Sequence, residues 1–265
     1  AANLTEADQL EPPYPSITIN DSSAATNQTA VSVKLSGADA VGINGYIISN
    51  QSNVPDISSS DWISITSQTQ YSVTKDSTVG PSDASYSFYG WMKDAANNIS
   101  ATTSASIYYD TTAPVISSVS INSGDSSTTN TVVSLTISGS DSLSGINAYY
   151  ASETSTDPSA TATGWTDLTT TNSLSTTVSF TLSSTGAAGS FTKTVYVWVK
   201  DAAGNVSSSS SDSITLVVDD TTAPTSPSIS INSGASNTTS STVTLSLSAS
   251  DDVGVTGYYL SESNS

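Results

Sequence analysis

Cysteine, histidine and arginine are missing from this 265-residue chain, and methionine occurs once. Without cysteine there is no disulfide framework and no thiolate chemistry, so stability must come from packing, repeat-to-repeat contacts or bound ions. Without histidine the common zinc, haem and Ser-His-Asp chemistries lose their usual participant. No carboxylate pair stands apart from acids that merely occupy turns, so no catalytic residue is assigned and the chain reads as a non-enzyme. Five lysines against 23 acidic residues leave a net charge of −18. That balance excludes nucleic acid as a direct partner, because phosphates need lysine or arginine. No apolar run reaches the length of a membrane span, and no signal peptide is visible at Ala1. The mature part of an exported protein has this look, and the expectation is an extracellular or cell-surface chain.

What the chain has in excess is serine and threonine, 98 residues in all, beside 35% hydrophobic and 11% charged residues. Apolar content is low, but it is β-branched and alternating, which points to thin sheets rather than disorder. A repeat organises the whole. Trp91-x-Lys93-Asp94 recurs as Trp198-x-Lys200-Asp201, and the acidic linker Asp110-Thr-Thr-Ala-Pro114 recurs ending at Pro224. In the second copy Val195, Val197 and Val199 alternate, a turn Asp201-Ala-Ala-Gly-Asn205 follows, and Ile214, Leu216 and Val218 alternate again. Period-two patterning around a turn predicts a hairpin. Further alternation at Val31-x-Val33-x-Leu35, Val133-x-Leu135-x-Ile137 and Val243-x-Leu245-x-Leu247 marks the matching strand of three repeats.

About seven short strands per repeat and no useful helical period predict an all-β chain of tandem immunoglobulin-like antiparallel β-sandwiches. The expected boundaries are an N-terminal linker at 1–15, repeat one at 16–110, repeat two at 111–220 and the first strands of repeat three at 221–265. Repeat three ends after a third strand through Gly257-Tyr258-Tyr259, so it is incomplete and should expose an apolar face.

With these motifs the chain resembles the bacterial immunoglobulin-like repeats of large surface proteins and adhesins, over residues 16–265. The resemblance implies a stalk of stacked domains, with calcium held between neighbours by Asp110 and Asp220 of the linkers, Asp94 and Asp201 of the turns, and Asp39, Asp141 and Asp251 of the loop after the second strand. The residues themselves point the same way, since short carboxylates suit a hard cation. Asp219 and Asp220 with Asp251 and Asp252 place four carboxylates near the second joint. At the first joint Asp110 stands with Asp141 alone, so the alternative, an aspartate that caps its own loop, is stronger there. Tyr196, Trp198 and Trp91 fall out of phase with the inward valines. They are expected on the outer sheet face, either covering their own sheet or contacting a glycan or partner chain. The leading functional expectation is a non-catalytic stalk, adhesin shaft or surface filament whose partners are copies of itself or other surface proteins and glycans. Two alternatives stand beside it: a filament subunit completed by strands from another chain, and a carbohydrate- or receptor-binding accessory module.

Overall fold

The computed structural model describes residues 11–263. Most of the segment assigned as a linker at 1–15, and the last two residues of repeat three, lie outside the described residues. Repeat one contains β1 (Ser16–Ile19), β2 (Ala25–Thr26), β3 (Ala30–Ser49), β4 (Ile63–Thr78), β5 (Ala84–Asp94) and β6 (Thr103–Tyr109). Repeat two contains β7 (Val115–Ile121), β8 (Ser127–Thr128), β9 (Val132–Ser140), β10 (Ile146–Ser152), β11 (Thr166–Thr171), β12 (Ser173–Thr181), β13 (Gly189–Asp201) and β14 (Ser210–Val218). Repeat three contributes β15 (Thr225–Ile231) and β16 (Leu245–Ser250). Among the described residues no helix is long and apolar enough to cross a membrane.

Repeat two shows the architecture most plainly. A three-stranded sheet, β12-β9-β7, faces a five-stranded sheet, β11-β10-β13-β14-β8. The alternating residues meet between them: Val133, Leu135 and Ile137 from one layer, Val195, Val197, Val199, Ile214 and Leu216 from the other, all buried in one cluster. This is the all-β sandwich that the alternation predicts, with the valines facing inward. Each such side chain contributes about 1.5–3 kcal/mol by leaving water. The opposite faces are lined with hydroxyls that pair across strands, as Thr136 with Thr177 at 3.0 Å.

In repeat one the same course is continuous. β3 pairs with β1 through Val33–Ser36 and with β5 through Ile43–Ser49, so one strand serves both layers. It turns between them near Gly42, whose φ of +116° glycine alone adopts readily. Each repeat also clips its first two long strands together. The carboxamide oxygens of Asn20, Asn122 and Asn232 accept from the amides of Ser32, Ser134 and Thr244 at 2.8, 2.9 and 2.8 Å.

Repeat three departs from its neighbours where the second layer would lie. Ile231, Val243 and Leu247 are 51%, 40% and 41% exposed, whereas their counterparts Ile121, Val133 and Ile137 are at most 2% exposed. The third strand expected through Gly257-Tyr258-Tyr259 does not form, and both tyrosines are exposed. In repeat two the matching strand, β10, is held by β13 on one side and β11 on the other. Repeat three has no such partners among the described residues, so that backbone is left to water and no strand is held there. Truncating Leu135 to alanine should therefore cost about 2–5 kcal/mol in urea unfolding, and Leu247→Ala under about 1 kcal/mol. Equal losses would mean that repeat three is packed in solution.

Candidate cation site at the joint between repeats

Three aspartates meet where repeat one hands over to repeat two. Asp110 begins the acidic linker just after β6, Asp141 follows β9, and Asp201 closes β13 at the start of the Asp-Ala-Ala-Gly-Asn turn. One carboxylate oxygen from each lies within 4.8 Å of the others. All three residues are buried, and Asp110 and Asp201 are each only 1% exposed.

Each carboxylate does cap its own loop, as the turn-forming alternative expects. Asp141 Oδ1 accepts from the amides of Leu143 and Gly145 at 3.0 and 2.7 Å. The two oxygens of Asp201 accept from the amide and carboxamide of Asn205, both at 2.8 Å. Asp110 Oδ1 accepts from the Thr112 amide at 3.0 Å. Capping does not exhaust the site, however, because the joint is also tied across the repeats. The Ser144 amide of repeat two donates to Asp110 Oδ2 at 3.0 Å, and the Asn205 carboxamide donates to the Asp110 carbonyl at 2.9 Å. Asn27 of repeat one donates to Asn205 Oδ1 at 3.2 Å. Asn205, read from sequence only as the end of a turn, is thus a central tie between the two repeats.

The charge at this place is not balanced by any lysine among the described residues. Lys93 and Lys200 lie instead over the rings of Trp62 and Trp165, at 5.0 and 4.8 Å. Burial raises the Asp201 carboxyl above the ordinary aspartate range. The Asn205 bonds pull it down, and repulsion from Asp110 and Asp141 adds to the rise. Ser144, whose amide touches Asp110 and whose neighbour Gly145 touches Asp141, carries a buried hydroxyl with no partner among the described residues. Oxygens sharing one calcium ion at about 2.3–2.6 Å lie at most about 5 Å apart, so this donor set fits a hard divalent cation.

At the second joint Asp220, Asp251 and Asp252 also come within 4.8 Å, but they are exposed or half-buried, and Asp219 is not brought into the group. The sequence expectation ranked the joints the other way. It named Asp201 as a candidate without assigning it to a joint, and the structure brings it, from the far hairpin of repeat two, beside Asp110 and Asp141. Asp39 and Asp94 cap their own loops in repeat one, through Gly42 at 2.7 Å and Asn98 at 2.9 Å. There Asn97 takes a left-handed φ of 72° where Gly204 takes 96° in repeat two, so the asparagine preserves the turn.

Asp83 gave no sequence signal. Its carboxylate accepts from the Thr111 amide and hydroxyl at 3.0 and 2.8 Å and from the Thr112 hydroxyl at 2.6 Å, pinning the linker to repeat one. The bonds from Thr112 and then Thr111 hold this carboxyl below its ordinary range.

Of the two readings offered for the outer-face aromatics, the structure agrees with rings that cover their own sheet and corrects the exposed partner contact at Trp91 and Trp198. Trp91 and Trp198 lie out of phase with the valines but are fully buried. In repeat two a loop folds over the sheet: Trp198 donates to Asp157 Oδ1 at 2.9 Å, and Tyr150 packs edge-on against both Trp198 and Trp165. Tyr196 is only half-buried and leans on Trp198 at 6.3 Å. These rings cover their own sheet.

A pH dependence follows from Asp201. Its folded-state value is raised, so in the presence of chelator its contribution to stability is present below about pH 3.9, its unfolded value, and is lost as pH rises through the folded value. Asp83 runs opposite, losing its contribution only as pH falls through its lowered value. Chelated protein should therefore lose stability in scanning calorimetry as pH rises from about 3.9 through the raised Asp201 value. A melting temperature that rises steadily with pH over that range would contradict the crowding of these carboxylates.

No protein-family model and no curated protein matches the chain. Among solved structures it is similar to fibronectin(III)-like modules of CbhA from Clostridium thermocellum, at 13% identity and a TM-score of 0.41, covering 77% of this chain and 94% of that one. It is similar to the human OSCAR ligand-binding domain at 13% identity and a TM-score of 0.37, covering 79% and 100%. It is also similar to the D00-D0 domain of intimin, at 9% identity and a TM-score of 0.28, covering 77% and 100%.

Proposed function

We propose that the chain is a non-catalytic extracellular structural protein, a run of immunoglobulin-like domains that works as a stalk, adhesin shaft or surface filament. Its joints are stiffened by calcium. The observation that carries this reading is the burial of Asp110, Asp141 and Asp201 together, with one ligand from repeat one and two from repeat two. A cation there neutralises three buried charges at once and fixes the angle between domains, whereas an empty site leaves them in mutual repulsion. Partners on this reading are neighbouring copies of the chain or other surface proteins and glycans.

Calcium added to chelated protein should raise the melting temperature, the gain reaching about 2.7 kcal/mol at a hundred times the dissociation constant. Small-angle scattering should show reduced interdomain freedom on the same addition. Asp110→Asn should weaken both responses while leaving each repeat folded. Calcium that alters neither melting nor scattering would sink the proposal.

A second reading is favoured by the exposed apolar residues of repeat three, where Ile229, Ile231 and Leu247 have no second layer over them. Strands supplied by another copy would complete it, making the chain a self-assembling filament subunit. Native mass measurement separates the readings. Polymers that dissociate on Leu247→Glu support strand donation, and a monomer at all concentrations opposes it.

A further inference from the structure

We propose that repeat one carries a binding cleft for a short neutral saccharide, between the loop at 50–62 and strands β3 and β4. The cleft has a volume of about 450 Å³, lined by Ile48 and Ser49 of β3, Ile63 and Lys75 of β4 and several loop residues, with Trp91 beneath. That volume lies within the usual range for small-ligand sites, about 300–1,000 Å³, and accommodates a disaccharide.

Comparison of the two complete repeats shows why the cleft exists. Both loops are anchored alike, the indole of Trp62 donating to the Asp56 carbonyl at 3.0 Å and that of Trp165 to the Ser159 carbonyl at 2.9 Å. With that anchor aligned, Asp157 of repeat two corresponds to Val54 of repeat one. Asp157 ties its loop down onto the Trp198 indole at 2.9 Å. Val54 offers no acceptor and is 63% exposed, and the Trp91 indole turns instead to the Thr102 hydroxyl of its own hairpin, at 3.0 Å. Lys200 likewise donates to the Ala160 carbonyl of the repeat-two loop at 3.0 Å. Both loops pack on their sheets, Trp62 being buried against Ile47 and Trp91, but only the repeat-two loop has a carboxylate that ties position 157 to the strand tryptophan.

The residues that line the opened space are themselves specific to repeat one. Gln51, Asn53, Asp61 and Lys75 stand where repeat two has Thr154, Thr156, Gly164 and Val178. Repeat one has thus replaced short or apolar side chains with carboxamides, an acid and an amine where the space opens. Lys75 Nζ reaches the Ile48 carbonyl at 3.4 Å, a long contact that leaves its other donors for a ligand. Carboxamides with one acid and one amine make a near-neutral donor and acceptor set, while Val54 and Ile63 add apolar surface, the latter 43% exposed. A pyranose presents that combination, hydroxyls around its rim and C–H groups on its faces. Within the lining the one acid, Asp61, and the one amine, Lys75, offset each other.

Repeat two supplies the test. Val54→Asp should let the loop close onto Trp91 as it does onto Trp198, filling the cleft without disturbing the core. The full chain would be titrated with maltose, cellobiose, lactose and N,N′-diacetylchitobiose, following tryptophan emission and backbone amide shifts. At least one sugar should give saturable shifts confined to 47–63 and 75. Val54→Asp should weaken that binding by roughly tenfold or more, with an unchanged or higher melting temperature, and Gln51→Ala should weaken it without closing the loop. Chelator should leave the binding intact, which separates this site from the joint. If none of the four sugars shifts those amides, or if the Val54→Asp protein binds as the parent does, the proposal is wrong.

Discussion

Each repeat depends on a core one side chain thick, closed only when two sheets meet. A sandwich of about a hundred residues buries a modest fraction of its surface, and this chain has no disulfide to add. The second layer is therefore not optional. Where β13 and β14 are present, Leu135 and Ile137 are sealed and the clip from Asn122 merely orients strands that packing already holds. Where no such hairpin is described, the same clip from Asn232 survives, but the apolar side stays open. Backbone pairing makes a ladder; apolar pairing between layers makes a domain.

The joint is governed by the opposite chemistry. Between repeats the ties are polar, through Asn27, Asn205, Asp110 and Ser144, and the linker is held back onto repeat one by Asp83. An apolar joint would have to be large to be specific. A small one gains direction from hydrogen bonds and from concentrated charge, which becomes stabilising once a counterion is supplied. The proposed calcium answers that electrostatic need.

The outer faces carry the differences between repeats. Both bury a tryptophan on the outside of the same strand, yet repeat two closes its loop with Asp157 and Lys200 while repeat one leaves a cleft. Since the sandwich core is common to both, this loop can vary without cost to the fold, as expected where function is carried by connections between rigid strands.

Much of the fold was legible in the sequence because its cause is local. Alternation with period two states which side chain faces inward, and it placed Val195, Val197 and Val199 correctly. The Asp-Ala-Ala-Gly-Asn turn announced a hairpin, and the tolerance of asparagine for positive φ accounts for Asn97 keeping that turn in repeat one. Residue types put candidate cation ligands at Asp110, Asp141, Asp219, Asp220, Asp251 and Asp252, and the resemblance added Asp201. What the sequence by itself did not determine was which aspartates meet, because Asp201 lies 91 residues after Asp110 and only closure of the second sheet brings its turn to the joint. Nor did it determine that Trp91 and Trp198 are covered, since phase along a strand tells inner from outer face but not what a distant loop lays over it. The tertiary structure decided both, through contacts whose partners are remote in the chain and whose geometry no spacing records.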